Sequence, residues 1–336
     1  MPDFVKLREL SEQLLEKILL EIYNQDNQAL SMGDYTKGLI FPPNEKSFFE
    51  KLGLTRKKIN TFIDEEHNLR PVYQGQSGNV LGRIHDSVML MCHDDHPEFR
   101  AYAVCLAKQA TFFGRVYSET NGGVAVVLSL GLFKDLYAIN HIYDLVESGK
   151  SLPDNKRIEY LVDMFCIISH SFGEGTLIST SYSPEYKDQK EVMKIHIITN
   201  CQQQYVLLHE YGHIATSYQK QQRQDGGIFV DTPSLENELA ADEWAAKKIS
   251  SRGEGFYPTW LQLRSLLWLF EFMHFVEVVE RKKDLHELTA RRRFDQIRRV
   301  IDNDGKELPL DAVRDMRQIM DDITSNWNLL YEIKRR

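Results

Sequence analysis

The sequence predicts an α+β protein, mostly helical, with a small twisted sheet and extra helices at its N- and C-terminal ends. Three observations predict it. Apolar residues recur at three-and-four spacing over long windows, as in Leu10, Leu14, Leu15, Ile18, Leu19 and Ile22. Short β-branched runs interrupt these windows, chiefly around Val124 and around Ile195. With 336 residues, 42% of them apolar, the chain is long enough to bury a sizeable core.

Taken in order, the periodicity predicts a helix from Leu7 to Tyr23. Pro42 and Pro43 break the chain, and Glu45 to Glu66 reads as two short helices around Gly53. Val72 to Gly82 is rich in Gly, Gln and Ser and reads as a loop, followed by a helix over Glu98 to Phe113. Val124 to Leu130 is a buried strand, then helices are expected over Phe133 to Glu147 and Ile158 to Ser169. Gly173 to Gln189 is a polar, Tyr-containing loop of a length that usually serves function. Met193 to Thr199 alternates and is β-branched, which predicts a strand. A helix over Gln203 to Gln219, a loop or short extended piece over Gly226 to Pro233 and a helix over Leu235 to Ser250 follow. The apolar stretch Pro258 to Val279 predicts a long core helix, and charged helices from Leu285 and Leu310 finish the chain. This organisation suggests an N-terminal helical subdomain (1–75), a central domain (76–300) and a C-terminal helical extension (301–336).

Composition narrows the function classes. Lys and Arg total 41 against 49 Asp and Glu, a formal net charge of -8, so no nucleic-acid partner is expected. The basic stretch Arg291, Arg292, Arg293, Arg298 and Arg299 lies among Asp295, Asp302 and Asp304 and reads as a self-paired helix face. No secretory signal and no apolar run long enough to cross a bilayer are found, and the four cysteines contain no C-x-x-C pair. A cytoplasmic protein with reduced thiols, not engaged with a membrane, is expected. Cys92-His93-Asp94-Asp95-His96 gathers potential metal ligands but reads as a polar turn before Pro97. Asp302-Asn303-Asp304-Gly305 lacks the glycine and glutamate positions of a calcium loop.

The informative stretch is V-L-L-H-E-Y-G-H-I-A, residues 206–215. His209 and His213 are four apart, so a helix projects both imidazoles from nearly one face, where they can share one Zn²⁺. Glu210 stands about 100° further round the axis, placed to miss the metal and reach a water beside it. With 11 His and 26 Glu in the chain, random order would produce H-E-x-x-H about 0.03 times. A catalytic zinc needs a third protein ligand. L-E-N-E-L-A-A-D-E-W-A-A, residues 235–246, offers Glu238 and Asp242 on one helix face, with Glu236 and Glu243 as competitors. Asp242 suits an outer acceptor that holds a histidine's tautomer.

H-E-Y-G-H followed by E-L-A-A-D resembles the gluzincin zinc metallopeptidases, whose pattern is H-E-x-x-H with a later E-x-x-x-D. The resemblance implies a zincin-like domain with His209, His213 and Glu238 as ligands of one Zn²⁺ per chain, Glu210 as catalytic base and Asp242 supporting His209. V-A-V-V-L-S-L-G-L-F (residues 124–133) and D-L-H-E-L-T-A-R-R-R-F (residues 284–294) are similar to elements of the branch containing the CAAX prenyl protease and its heat-shock relatives. His286 is followed here by Glu287 where that branch has proline, no membrane helices flank the motif, and the gap from Gly131 to His209 is longer. Lit-type phage-exclusion peptidases and ImmA/IrrE-type repressor-cleaving peptidases are intracellular families that also carry H-E-x-x-H. The close resemblance covers about residues 195–250.

The expected function is zinc-dependent hydrolysis of an intracellular protein or peptide substrate, with Glu210 moving the proton. The predicted strand around Ile195 to Ile198 is where an extended substrate would pair. His286, His274, Tyr257 and Arg291 to Arg293 are the candidates for stabilising a developing oxyanion. A non-hydrolytic protein that uses the same scaffold to engage a regulatory protein or DNA partner is the alternative.

Overall fold

The computed structural model describes residues 3–26, 80–92, 94–107, 114–129, 136–137, 139–141, 144, 189–216, 220–222, 228–231, 234–251, 259–280 and 289–303, with 314, 317, 318 and 321. Its elements run α1 (Phe4–Asp26), α2 (Val80–Cys92), a 3₁₀ turn (Pro97–Ala101), β1 (Ala103–Ala107), β2 (Gly114–Glu119), β3 (Val124–Ser129), α3 (Gln189–Ala215), β4 (Lys220–Gln222), β5 (Ile228–Asp231), α4 (Leu235–Ser251), α5 (Thr259–Glu280) and α6 (Thr289–Asn303). The described residues between 136 and 144 are also helical. The α+β, mostly helical expectation therefore holds. The two helices expected over Glu45 to Glu66, the helix over Ile158 to Ser169 and the loop over Gly173 to Gln189 lie outside the described residues, or nearly so.

One mixed sheet, in the order β1-β3-β2-β5-β4, divides the core into two layers. β1 runs parallel to β3, and the other neighbours are antiparallel. On one face α1 lays Leu14, Leu15, Ile18 and Leu19 against Ala103, Cys105, Tyr117, Ala125 and Val127. Removing each such aliphatic side chain from water contributes about 1.5–3 kcal/mol. On the other face Val116, Val126 and Leu128 meet α2, α3 and, further out, α4, α5 and α6. β3 is thus buried on both sides, which is why its sequence V-A-V-V-L-S is apolar without alternation. β2 and β3 form a hairpin across Asn121-Gly122, with Gly122 at φ 95°. The hairpin docks on α1: the Val124 amide donates to Ser11 Oγ at 3.1 Å, and a methyl on Gly123 would meet the Leu10 carbonyl at 2.7 Å.

Three expected elements are corrected. Met193 to Thr199 is helical, part of the 27-residue α3 that continues into the His209 segment. Ile195, Ile198, Cys201, Tyr205 and Leu208 are buried at three- and four-residue intervals, a helical stripe that overrides the β-branched preference of the run. The expected substrate-pairing strand at Ile195 to Ile198 therefore does not exist. Glu98 to Phe113 is likewise not one helix: it opens with the 3₁₀ turn and continues as β1. Ala103 and Cys105 face α1 while Val104 packs on the opposite side, the period of two that a strand requires. The expected loop ending at Gly82 gives way to α2 from Val80, and β2 has no counterpart in the sequence reading.

α3 is buried along most of its length, and Thr199 and Gln202 on it are hydrogen-bonded across the bundle. Asn140 Nδ2 donates to Thr199 Oγ1 at 2.9 Å and to Gln202 Oε1 at 2.7 Å, while Gln202 Nε2 donates to the Ser265 carbonyl at 3.2 Å. These bonds lock the orientation of α3 against α5, and with it the direction in which its second half presents side chains. Among the described residues, no helix is long and apolar enough to cross a membrane.

Candidate metal centre

The second half of α3 and the first two turns of α4 meet in close contact. Gly212 makes this possible: a methyl there would lie 2.7 Å from the carbonyl oxygen of Ala241 and 2.9 Å from its Cα. Ala241, Ala245 and Ala246 supply the matching small surface on α4. Ser234 opens α4 by accepting a hydrogen bond from the Asn237 amide at 3.2 Å. Glu238 consequently sits in the first helical turn, where the helix dipole favours a carboxylate.

His209, His213 and Glu238 come together at this crossing and could hold a metal ion. His209 Nε2 lies 3.1 Å from His213 Nε2. Glu238 Oε2 lies 3.2 Å from His209 Nε2, and Oε1 lies 3.5 Å from His213 Nε2. Donors placed tetrahedrally at about 2.1 Å from a divalent ion stand about 3.4 Å apart, so these separations fit such a site. Two imidazole nitrogens and a carboxylate would supply three ligands to a four-coordinate ion. Glu236 and Glu243, the competing acids, do not join them: Glu243 pairs with Lys247 at 2.6 Å and accepts from Gln296 at 2.9 Å. Among the described residues this is the one group of its kind; Cys92, Asp94, Asp95 and His96 join none, and His93 lies outside the described residues. His96 instead stacks on Phe99 and lies 3.1 Å from Glu98, while Asp95 pairs with Lys248.

The surroundings hold each ligand in place. Asp242, fully buried, lies 2.7 Å from His209 Nδ1 and so fixes the ring with Nε2 turned toward His213. Tyr205, one turn before His209 on the same face of α3, donates to Asp242 Oδ1 at 2.5 Å. Burial and the neighbouring Asp242 push the Tyr205 hydroxyl well above its ordinary pKa, so it remains a donor. Arg293 arrives from α6. Its Nε donates to Asp242 Oδ2 at 2.6 Å, one amino group donates to Asp242 Oδ1 at 2.9 Å, and the other lies 3.1 Å from Glu238 Oε2. Its guanidinium also lies over the Phe270 ring, 5.5 Å from the centroid. Burial would raise the pKa of both carboxyls, but His209 and Arg293 outweigh it and hold them well below the usual carboxylate range.

Tyr205 and the role of Arg293 were not found from the sequence. A signal for the first was present, since Tyr205 precedes His209 by four residues. For the second there was only membership in the candidate set Arg291 to Arg293. Arg291 pairs instead with Glu271, and Arg292 is exposed. His274 is half-buried on α5, and Tyr257 and His286 lie outside the described residues. Glu210 is buried, with 4% of its surface exposed, and its carboxylate lies against Gly114 of β2.

Two expected results follow from this packing. Gly212→Ala forces the α3 and α4 backbones apart, and overpacking of this kind costs about 1–3 kcal/mol. Because Glu238 rides on α4, the variant also weakens metal binding at least tenfold, read by competition with a chromophoric chelator; unchanged affinity contradicts the close-approach argument. The second concerns protons. Burial disfavours a charged His209, but Asp242 and Glu238 together outweigh it and raise its pKa to about 10 in the metal-free protein. A raised folded-state value means the stabilisation is complete below the ordinary 6.5 and is lost as pH rises through about 10. Metal uptake at pH 7 would therefore expel a proton from His209. Calorimetric titration in buffers of different ionisation enthalpy should count about one proton per ion from this site, and none would contradict the reading.

Comparison with family models, curated proteins and solved structures returns no match for this chain.

Proposed function

We propose that this protein is a zinc-dependent peptidase of the zincin type, with His209, His213 and Glu238 as the metal ligands and Glu210 as the general base. The observation that carries the reading is the donor triangle at the α3–α4 crossing, with a carboxylate that is not a ligand one residue along the same helix. A histidine pair with one carboxylate suits zinc, and the gluzincin-like pattern H-E-x-x-H with E-x-x-x-D supplies the same assignment. When bound there, zinc would acidify a water and polarise a scissile carbonyl. Glu210 accepts the water's proton as oxygen attacks the carbonyl carbon, then delivers that proton to the departing amine nitrogen as the C–N bond breaks. Asp242 and Tyr205 hold His209 in its ligand tautomer throughout.

The backbone beside Glu210 supports an extended substrate. Gly114 and Arg115 pair with β3 on one side, in the strand that the Glu210 carboxylate rests against. An extended peptide running beside Gly114 and Arg115 would pass the catalytic carboxylate. This replaces the Ile195 to Ile198 segment as the proposed docking edge. The substrate proposed is a protein with a narrow cleavage site.

The test is metal content by elemental analysis, followed by incubation of purified protein with a cell lysate and N-terminal labelling of new peptide ends. One zinc per chain and new ends that vanish with Glu210→Gln are the expected result. Equal cleavage by that variant, or no cleavage by the zinc-loaded protein, would remove the peptidase reading.

A further inference from the structure

We propose that Gly114 is the seat of Glu210, a positioning residue whose missing side chain is what lets the catalytic carboxylate reach its working place; the inference rests on the hydrolytic reading above. An ideal Cβ on Gly114 would lie 2.2 Å from Glu210 Oε1, 2.6 Å from its Cδ and 3.1 Å from its Cγ. The carboxylate thus occupies the volume in which any side chain at position 114 would begin. Gly114 is held there by the sheet, at the β2 position that opposes Leu128 of β3, and α3 carries Glu210 in from the other layer.

Gly114 differs in kind from the other tightly packed glycines. Gly123 is hemmed in by the Leu10 carbonyl of α1, and Gly212 by the Ala241 main chain of α4. A methyl at either forces whole elements apart. At Gly114 the obstacle is a single side chain with rotatable bonds, so the cheaper response is for Glu210 to turn away. Residue 114 therefore controls where the base sits without contributing a functional group. A glycine on a strand commonly marks close approach by something else, and here the approaching group is the carboxylate itself.

The experiment is Gly114→Ala in two backgrounds. In the otherwise native protein, Gly114→Ala folds, binds zinc with affinity within about threefold of the native protein, and loses kcat by roughly 10²-fold, the scale on which a misplaced general base acts, with KM little changed. A purely structural lesion would not separate kcat from KM and metal affinity in this way. The second arm needs no activity. Melting of the metal-free protein should fall by about 2–4 °C on Gly114→Ala alone, but not when the same change is made beside Glu210→Ala, which vacates the space. Gly114→Ala that fails to fold while Gly114→Ala/Glu210→Ala folds also supports the proposal. Equal melting losses in both backgrounds, misfolding in both, or native kcat in the single variant would overturn it. A native protein without hydrolytic activity defeats the peptidase reading, whereas the melting comparison still decides the seat of Glu210.

Discussion

If the proposed peptidase reading holds, Glu210→Gln should lower peptide hydrolysis by about 10²–10⁴-fold, the range that general-base catalysis contributes, while zinc should stay at one ion per chain. Glutamine keeps the size of the side chain, so it still fits over Gly114 and leaves the α3–β2 packing intact. What it loses is the ability to accept a proton. The candidate ligands are untouched, because Glu210 is not a member of the His209, His213 and Glu238 group. KM should therefore change little and the loss should fall on kcat. Metal content measured beside the rate makes the result specific. Loss of both zinc and activity would show that Glu210 belongs to the metal centre instead, and retained activity would show that it is not the base.

Arg293→Ala should cost about 3–5 kcal/mol of folding stability, the scale for removing one partner of a buried ion pair. Arg293 is the cation between Asp242, which is fully buried, and Glu238, whose side chain is one-quarter exposed. Without it two carboxylates converge on His209 with too little positive charge to balance them. A divalent ion would partly restore that balance, so the loss should be larger in the metal-free protein than in the zinc-loaded one. Arg293→Lys should recover less than half of the loss, since an ammonium cannot reproduce two parallel bonds to Asp242 and a third contact to Glu238. Urea unfolding with and without zinc measures all four quantities. Equal losses in the two states would mean that Arg293 acts through packing on Phe270 rather than through charge.

The site was legible where its geometry is set by one helix. His209 and His213 share a face because they are four apart, and so do Glu238 and Asp242. Neither relation needs knowledge of the rest of the fold. The same holds for α1, α4 and α5, whose apolar spacing placed them to within a few residues. Local pattern failed where burial came from both sides or from partners distant in sequence. The Ile195, Ile197 and Ile198 run looks like a strand on propensity alone, yet it is the buried stretch of a helix packed between the 136–144 segment and α5. β1 has its period of two, but only its parallel pairing with β3 distinguishes it from a continuation of the preceding turn.

Residue spacing along the chain determined which side chains point together: the imidazole pair of α3, the carboxylate pair of α4, and the apolar stripes that had to be covered. Only the tertiary structure decided that the two helices cross at Gly212 and Ala241, that Arg293 comes from 51 residues beyond Asp242 to neutralise it, and that the carboxylate of Glu210 rests on Gly114. The reason is physical. Directions within a helix follow from its 3.6-residue turn, whereas contacts between elements follow from close packing and charge balance, which no local stretch of sequence contains.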